Sequence, residues 1–260
     1  VVSTDQGSGG GALAYLRNVY SRVNPLVLAN TASGAVTTTL APQQLASARG
    51  SNLTNGDETA DGSSLPETLA GATVKVVDSA GTEFNALLVS ASRTSVRFIV
   101  PDAVAGTATV TLTAADGQVW STTVEIANVN PAFYSVNSDG LAQGYLVRVD
   151  PDGTETPMVF AQSNPDTGAQ EPIAIDMGPE GTRIFLVLYG SGMRFVSAPE
   201  AASISVGGET SAPAITANGG YPGLDEIRFL LPAAVAGRGD VDIQATLDGA
   251  TSNIVKVRVQ

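Results

Sequence analysis

The side chains behind most enzyme chemistry are missing from this sequence. The 260 residues contain no histidine and no cysteine. Zinc, copper and haem therefore lack their usual ligands, and neither a Ser-His-Asp nor a Cys-His arrangement can be assembled. The only lysines are Lys75 and Lys256, each at a polar position of an alternating strand pattern. That placement predicts solvated amines instead of catalytic ones, so only carboxylates and hydroxyls remain for chemistry.

The acidic residues could in principle supply a pair of carboxylates for glycoside hydrolysis. Such a pair normally lies in a cleft rich in aromatic side chains. Here there is one tryptophan, Trp120, and the six tyrosines are dispersed along the chain, which argues against a cleft of that kind. Asp57, Glu58 and Asp61, and the segment 150–153, lack the ligand spacing of a calcium loop and favour turns. We therefore expect no enzymatic activity, no cofactor and no metal.

Two short motifs match known functional sequences, but each can also occur by chance in a structural segment. Arg238-Gly239-Asp240 spells the integrin-binding tripeptide. That function requires an exposed loop tip, whereas the surrounding pattern places the three residues at the entry to a strand. Asn52-Leu53-Thr54 is a glycosylation sequon in a predicted surface loop. A three-residue sequon is a weak signal, so an unmodified Asn52 is the expectation.

One stretch of the chain occurs twice. The segments that begin at Arg97 and Arg228 both run strand, Pro/Gly connection, strand, at a constant offset (228 − 97 and 241 − 110 are both 131). A constant offset predicts two copies that align without a gap. Further matches are Val124-Glu125-Ile126 with Val255-Lys256-Val257 at 131, Val74-Lys75-Val76 with Ile204-Ser205-Val206 at 130, and Gly50–Leu53 with Gly190–Met193 at 140. The pattern is that of a tandem pair of domains.

Short Val- and Thr-rich segments separated by Gly and Pro predict an all-β fold of two tandem sandwiches, over 26–130 and 131–260, behind an N-terminal arm over 1–25. The nearly continuous apolar run Arg183–Tyr189 predicts a strand that is covered on both faces. A net charge of −12 argues against nucleic acid as a partner. No apolar run is long enough to span a bilayer.

The arm is more apolar than a solvated tail. Its apolar residues include Val1, Val2, Leu13, Leu16, Tyr20 and Val23. The spacing over 12–23 predicts a helix that ends at Asn24-Pro25, with a strand as the alternative. The arm carries a net charge of +1, from Arg17, Arg22 and Asp5, against an acidic remainder, which favours docking. The start at Val1 is what a cleaved secretory leader would leave behind, although a trimmed chain would look the same.

The segments Leu40–Val74, Phe98–Val110, Ile204–Gly208 and Gly239–Val255 resemble the secreted C-terminal domain found on many acidobacterial-type extracellular proteins. The resemblance covers roughly residues 26–260, and its two halves are similar to immunoglobulin-like domains of the IPT/TIG class. It implies a secreted or surface pair of β-sandwiches that is usually attached to another domain, and it carries no catalytic motif. Where the resemblance implies a large upstream domain, the printed sequence shows only residues 1–25.

These observations favour a non-enzymatic extracellular structural protein whose partners are copies of itself. We expect the arm to dock on an adjacent subunit of a filament or surface array, either by strand addition at Val1–Thr4 or by burying its apolar face. The alternative for the arm is that it folds back on its own first domain. The alternative function is a carbohydrate- or surface-binding accessory module of a larger secreted protein, with surface glycans as partners. A carboxylate-dependent hydrolase is the third class.

Overall fold

β-Strands dominate the computed structural model, which describes residues 24–61 and 64–260. Within this part of the chain the only helical segments are two short 3-10 turns, Pro199–Ala201 and Ala233–Val235. The predicted all-β, immunoglobulin-like fold is confirmed. The helix predicted over 12–23 lies outside the described residues, and so do the proposed contact residues Val1, Val2, Leu13, Leu16, Tyr20 and Val23.

The first sandwich has strands β1 (Asn24–Pro25), β2 (Val27–Asn30), β3 (Thr39–Leu40), β4 (Leu45–Arg49), β5 (Glu58–Thr59), β6 (Thr68–Leu69), β7 (Ala72–Val77), β8 (Glu83–Asn85), β9 (Leu87–Ala91), β10 (Ser95–Ile99), β11 (Gly106–Thr113) and β12 (Val119–Ile126). One sheet has the order β2-β4-β10-β9-β5. The other has the order β1-β12-β11-β7-β6, with β3 also on β12 and β8 also on β7. In immunoglobulin terms, β2, β4, β10 and β9 are strands A, B, E and D, and β7, β11 and β12 are C, F and G.

The second sandwich has strands β13 (Ala132–Phe133), β14 (Gly144–Val149), β15 (Glu155–Met158), β16 (Ala161–Ser163), β17 (Gln170–Pro172), β18 (Arg183–Ser191), β19 (Ala202–Val206), β20 (Glu209–Ser211), β21 (Ala214–Ala217), β22 (Asp225–Leu230), β23 (Gly239–Leu247), β24 (Ala250–Thr251) and β25 (Val255–Val259). Its sheets are β15-β14-β18-β22-β21, with β13 also on β18, and β20-β19-β23-β24, with β25 also on β23. The strands β16 and β17 form a separate hairpin.

Strands β14 to β17 have no counterpart in the first sandwich. They are inserted between the strands that occupy positions A and B, and β14 extends the sheet alongside β18. The buried apolar residues fall into two main clusters, one within residues 26–126 and the other within 129–259. Phe98 and Phe229 are fully buried in the first and the second cluster respectively. The domain boundary at 130 stays a prediction.

The two copies align with a gap, contrary to the gapless alignment predicted from the constant offset. In the first sandwich Val110 lies opposite Val76, and in the second Ile243 lies opposite Val206. If Val76 and Val206 are equivalent positions, at an offset of 130, then their partners Val110 and Ile243 are equivalent too. The offset between β11 and β23 is therefore 133 (243 − 110). Each sheet face repeats every two residues, so a slip of two leaves the buried pattern intact.

The last strand of each sandwich confirms this register. Gly106 lies opposite Ile126, and Gly239 lies opposite Val259, which again gives 133 for both strands. The predicted match of Val124–Ile126 with Val255–Val257 is therefore wrong by two residues. The extra residues lie between β22 and β23, where the second sandwich has the 3-10 turn Ala233–Val235.

Strand β18 is covered on one face and only partly on the other. Ile184, Leu186 and Leu188 are buried in the second core, as their alternation requires. On the outer face Val187 is buried, but Phe185 and Tyr189 are half-buried. The prediction of complete cover on both faces is thus wrong for the outer face, where only a small cluster around Val147, Val149 and Val187 forms.

Candidate functional site

The motifs singled out in the sequence have structural roles. Gly239 begins β23, which confirms the expected strand entry. The guanidinium of Arg238 donates to the carbonyl of Gly207 and pairs with Glu209, and Asp240 pairs with Arg258 at 2.7 Å. Both charged ends of the integrin-like tripeptide are therefore engaged within the second sandwich.

The segment 150–153 forms a turn, as predicted, but the prediction of a turn is wrong for Asp57, Glu58 and Asp61, because Glu58 lies in strand β5 and the other two lie outside any turn. The segment 150–153 joins β14 to β15, with the N–H of Gly153 donating to the carbonyl of Asp150 at 2.8 Å and the N–H of Thr154 donating to Asp152 at 2.9 Å. Glu58 accepts from the N–H of Ala70 at 2.6 Å. Within residues 24–61 and 64–260 no three acidic side chains are grouped closely enough to hold a metal ion.

Both lysines face away from the cores. Lys75 is exposed and pairs with Glu83 at 2.6 Å, and Lys256 is half-exposed on β25. Asn52 is exposed and adopts a left-handed backbone conformation with φ 57°. The next residue, Leu53, is fully buried and anchors this loop to the first core.

A concave surface lies between the two sandwiches, and we call it the groove. Its wider part has a volume of about 640 Å³. The first sandwich contributes Leu45, Thr59, Ala60, Leu65 and Val89, and the second contributes Tyr134, Gly220, Tyr221, Pro222 and Leu224. A narrower part of about 400 Å³ continues along the second sandwich, lined by Tyr134, Gln143, Tyr189, Asn218, Tyr221 and Leu224. Because three residues line both parts, the groove is continuous.

Backbone pairing brings the distant tyrosines together. The N–H of Tyr134 donates to the carbonyl of Tyr189, and the N–H of Tyr189 donates to the carbonyl of Gln143, both at 2.9 Å. The N–H of Gln143 closes this set by donating to the carbonyl of Tyr134. The argument that dispersed tyrosines disfavour an aromatic cleft is therefore wrong, because dispersion along the chain is not dispersion in space.

The third tyrosine lies on a preorganised loop, residues 218–224, between β21 and β22. The side-chain oxygen of Asn218 accepts from the N–H groups of Gly220 and Tyr221 at 2.9 and 3.0 Å. The side-chain nitrogen of Asn218 donates to Glu226 at 2.6 Å, which ties the loop to β22. Tyr221 is 70% exposed on this fixed loop, so its ring can meet a ligand at little entropic cost.

The groove is lined by uncharged residues, although the protein carries a net charge of −12. Burial raises the pKa of Tyr134 to about 12, and burial together with the charge of Glu226 raises the pKa of Tyr189. Both hydroxyls therefore stay protonated at neutral pH and can donate hydrogen bonds. Apolar faces with a few fixed polar groups are the usual composition of a binding site.

Contacts between the sandwiches set the shape of the groove. Asn130 in the short junction donates to the carbonyl of Thr39 at 2.7 Å, and its own carbonyl accepts from the side chain of Asn30 at 3.0 Å. Gly223, in the loop with Tyr221, packs so closely on the first sandwich that an added Cβ would lie 2.9 Å from that of Leu45. The walls of the groove are thus held at a defined separation.

The sequence analysis missed Tyr134, Tyr189 and Tyr221. A usable signal existed for Tyr221, because the stretch Asn218–Leu224 is rich in turn-forming residues and presents a single aromatic. An aromatic residue within a turn is expected to be exposed, and exposed tyrosine is enriched at binding surfaces. No comparable signal marked Tyr134, which follows strand β13, or Tyr189, which lies within strand β18.

The comparisons with known proteins give only remote likeness. No protein-family model matches the chain, and no curated protein matches it in sequence. Bacteroides ovatus SGBP-B of the mixed-linkage glucan utilization locus, solved with a mixed-linkage heptasaccharide, is similar at TM-score 0.32 and 15% identity, over 86% of this chain and 44% of that one. Domains 5-6 of the S-layer protein SbsC are similar at TM-score 0.29 and 11% identity, over 91% and 98%. Similarity of this size carries no functional argument.

Proposed function

We propose that this protein is a non-enzymatic extracellular module that binds an uncharged polysaccharide in the groove. The observation that carries the proposal is the convergence of Tyr134, Tyr189 and Tyr221 on an uncharged surface shared by two sandwiches. Tyrosine offers an apolar ring face and a hydroxyl at its edge, which suits the apolar faces and hydroxyl rim of a sugar ring. Gln143 and Asn218 add amide groups for orientation.

Charge supports a neutral ligand over an acidic one. The carboxylate of Glu226 accepts a hydrogen bond from Asn218 and lies opposite Tyr189 on the same face of the sheet. The carboxylate of Glu226 and the overall charge of −12 repel uronic acid or sulfate groups on a ligand. A neutral polymer avoids that repulsion and needs no counter-charge from the lining.

The composition of the groove supports binding without turnover. Its lining has hydroxyl and amide groups but no carboxylate pair, and the chain has no histidine or cysteine. General acid–base catalysis needs a titratable group within reach of the reacting atom. We expect no release of reducing sugar from any polysaccharide that binds. Release that a single Asp or Glu substitution abolishes would contradict this.

Affinity electrophoresis in gels containing neutral glucans, xylans or mannans tests the proposal, with an acidic polysaccharide such as pectate as comparison. We expect retardation by at least one neutral polymer, and a loss of about tenfold in affinity for Tyr134→Ala and for Tyr221→Ala. Phe195→Ala is the matched control, because Phe195 is 43% exposed and lies outside the groove. Failure to bind any neutral polymer, or an equal loss in the control, would overturn the proposal.

A second candidate is the subunit of a surface filament or array joined through the N-terminal arm. The observation in its favour is the position of β1, which pairs in parallel with Trp120 and Ser121 of β12. The chain therefore joins the first sandwich at a sheet edge, where strand addition takes place. Asn24 and Pro25 themselves form β1, and the helix predicted to end at these residues lies outside the described part of the chain. A polymer of such modules would display many grooves at once.

A further inference from the structure

We propose that the ligand chain continues from the groove onto the outer face of the second sandwich, where Tyr145 provides a further sugar-binding position. The ligand class is then a long neutral polysaccharide, and short oligosaccharides bind only part of the site. This inference rests on the proposed function. It concerns a surface that lies next to the groove and is not part of its lining.

Tyr145 and Tyr189 connect the two surfaces. Tyr189 lines the narrow part of the groove, and its ring centroid lies 6.4 Å from that of Tyr145, with the planes inclined by 55°. Tyr145 on β14 lies opposite Val187 on β18, so both tyrosines project from the outer face of the same sheet. A ligand that passes Tyr189 therefore meets Tyr145 next.

Beyond Tyr145 the surface opens into a second hollow of about 580 Å³. It is lined by Tyr145, Pro157, Met158, Val159 and Ile173. The side chains are again uncharged, and Met158 and Val159 are 46% and 62% exposed. These two adjacent apolar side chains are thus open to contact with a ligand.

Continuity with the groove identifies the occupant. Tyr145 lines the hollow and Tyr189 lines the groove, so the neighbouring rings of these two tyrosines stand where one surface passes into the other. Both are uncharged in a strongly acidic protein, so both suit the same neutral ligand. The strands that carry the hollow, β14 and β15, belong to the insertion β14 to β17 that the first sandwich lacks. The insertion thus extends one binding path and does not create a separate one.

Packing within the sheet is the other role that the tyrosine pair can have. An aromatic pair at this distance also stabilises the folded sheet beyond the effect of its buried area. If the role of Tyr145 is purely structural, removing its ring should lower the stability of the fold and weaken the binding of short and long ligands alike. Dependence on ligand length separates the two roles.

The test is isothermal titration calorimetry with glucose oligomers from the disaccharide to the octasaccharide, in β-linked and α-linked series, and with the parent neutral polymers. We expect wild-type affinity to rise with length to a plateau. Tyr145→Ala should leave the affinity for the shortest binding oligomers unchanged and lower that for the polymer about tenfold. Val159→Ser should show the same length-selective loss, and its exposed position makes misfolding a minor concern. Tyr134→Ala should weaken binding at all lengths.

Each other outcome has a definite meaning. If Tyr145→Ala and Val159→Ser lose affinity equally for oligomers of all lengths, or lose none, the extended path is wrong. Binding in the groove is then still tested by the variants of the groove residues. A change of sedimentation coefficient in Tyr145→Ala without an effect on glycan binding identifies the face as a protein contact and also overturns it. A wild-type protein that binds no neutral polymer refutes the proposed function itself.

Discussion

Ser191 of the second sandwich accepts a hydrogen bond from the backbone N–H of Leu45 in the first, with 2.9 Å between N and Oγ. The same hydroxyl donates to the carbonyl of Gly223 at 2.7 Å, and Ser191 is fully buried. Leu45 lines the groove, and Gly223 belongs to the loop that carries Tyr221. A single hydroxyl group therefore links the joint between the sandwiches to one wall of the groove.

Replacing that hydroxyl should loosen the joint. Ser191→Ala leaves the N–H of Leu45 and the carbonyl of Gly223 without this partner, and a buried polar group that loses its partner costs about 1–3 kcal/mol. We expect a lower denaturation midpoint and, by small-angle scattering, a broader distribution of inter-sandwich distances. Ser163→Ala is the control, because Ser163 is exposed on the β16–β17 hairpin. Identical stability and scattering for the two variants would show that the joint is held elsewhere.

The buried carboxyl beside this joint should give the fold a distinctive pH dependence. Burial raises the pKa of Asp225, and the ion pair with Arg194 offsets only part of that effect. A pKa that is higher in the folded state contributes stability that is fully present below the unfolded pKa and is lost as pH rises through the folded pKa. Relative to Asp225→Asn, the wild type should therefore be more stable near pH 4 than near pH 7.

Asp240→Asn provides the control of opposite sign. The hydrogen bond and charge of Arg258 lower the pKa of Asp240, so its contribution is present above the unfolded pKa and is lost as pH falls. Thermal unfolding across the acid range measures both variants against the wild type. Differences that run in the same direction for Asp225 and Asp240 would contradict the assignment of burial as the main cause at Asp225.

The two central phenylalanines should be equivalent in energetic terms. Phe98 and Phe229 are each fully buried in the core of their own sandwich. Truncation to alanine removes apolar contacts and leaves a cavity, which costs about 3–5 kcal/mol. Calorimetry should show Phe98→Ala lowering the transition of the first sandwich and Phe229→Ala that of the second. Phe195→Ala should have little effect, since that ring is partly exposed. A pair of unchanged melting curves would remove the two rings from the cores.

Deleting residues 1–23 tests the role of the arm in assembly and keeps the whole of β1. If the arm joins subunits, the full chain should sediment as a concentration-dependent polymer and the shortened chain as a monomer with unchanged melting temperature. The charge difference between arm and body predicts that salt weakens this assembly. A monomeric full-length chain at high concentration, or equal assembly of both forms, would end the filament hypothesis and leave glycan binding in place.

The sequence by itself determined the composition of the strands and the limits on chemistry. Alternation of side chains is a local property with a period of two, so Phe98 and Phe229 could be assigned to cores from their neighbours alone. The absence of histidine and cysteine removes imidazole and thiol chemistry whatever the fold. The repeat was visible because both copies keep the same inward-facing positions.

Tertiary structure decided everything that depends on relations between distant segments. A register slip of two residues preserves every buried face, so the displacement of β23 was invisible in the pattern. Tyr134 after β13, Tyr189 within β18 and Tyr221 on the loop before β22 meet only because these three segments converge beside the joint made by Ser191 and Leu45. Such convergence depends on which surfaces pack against each other, and no local periodicity in the chain records that.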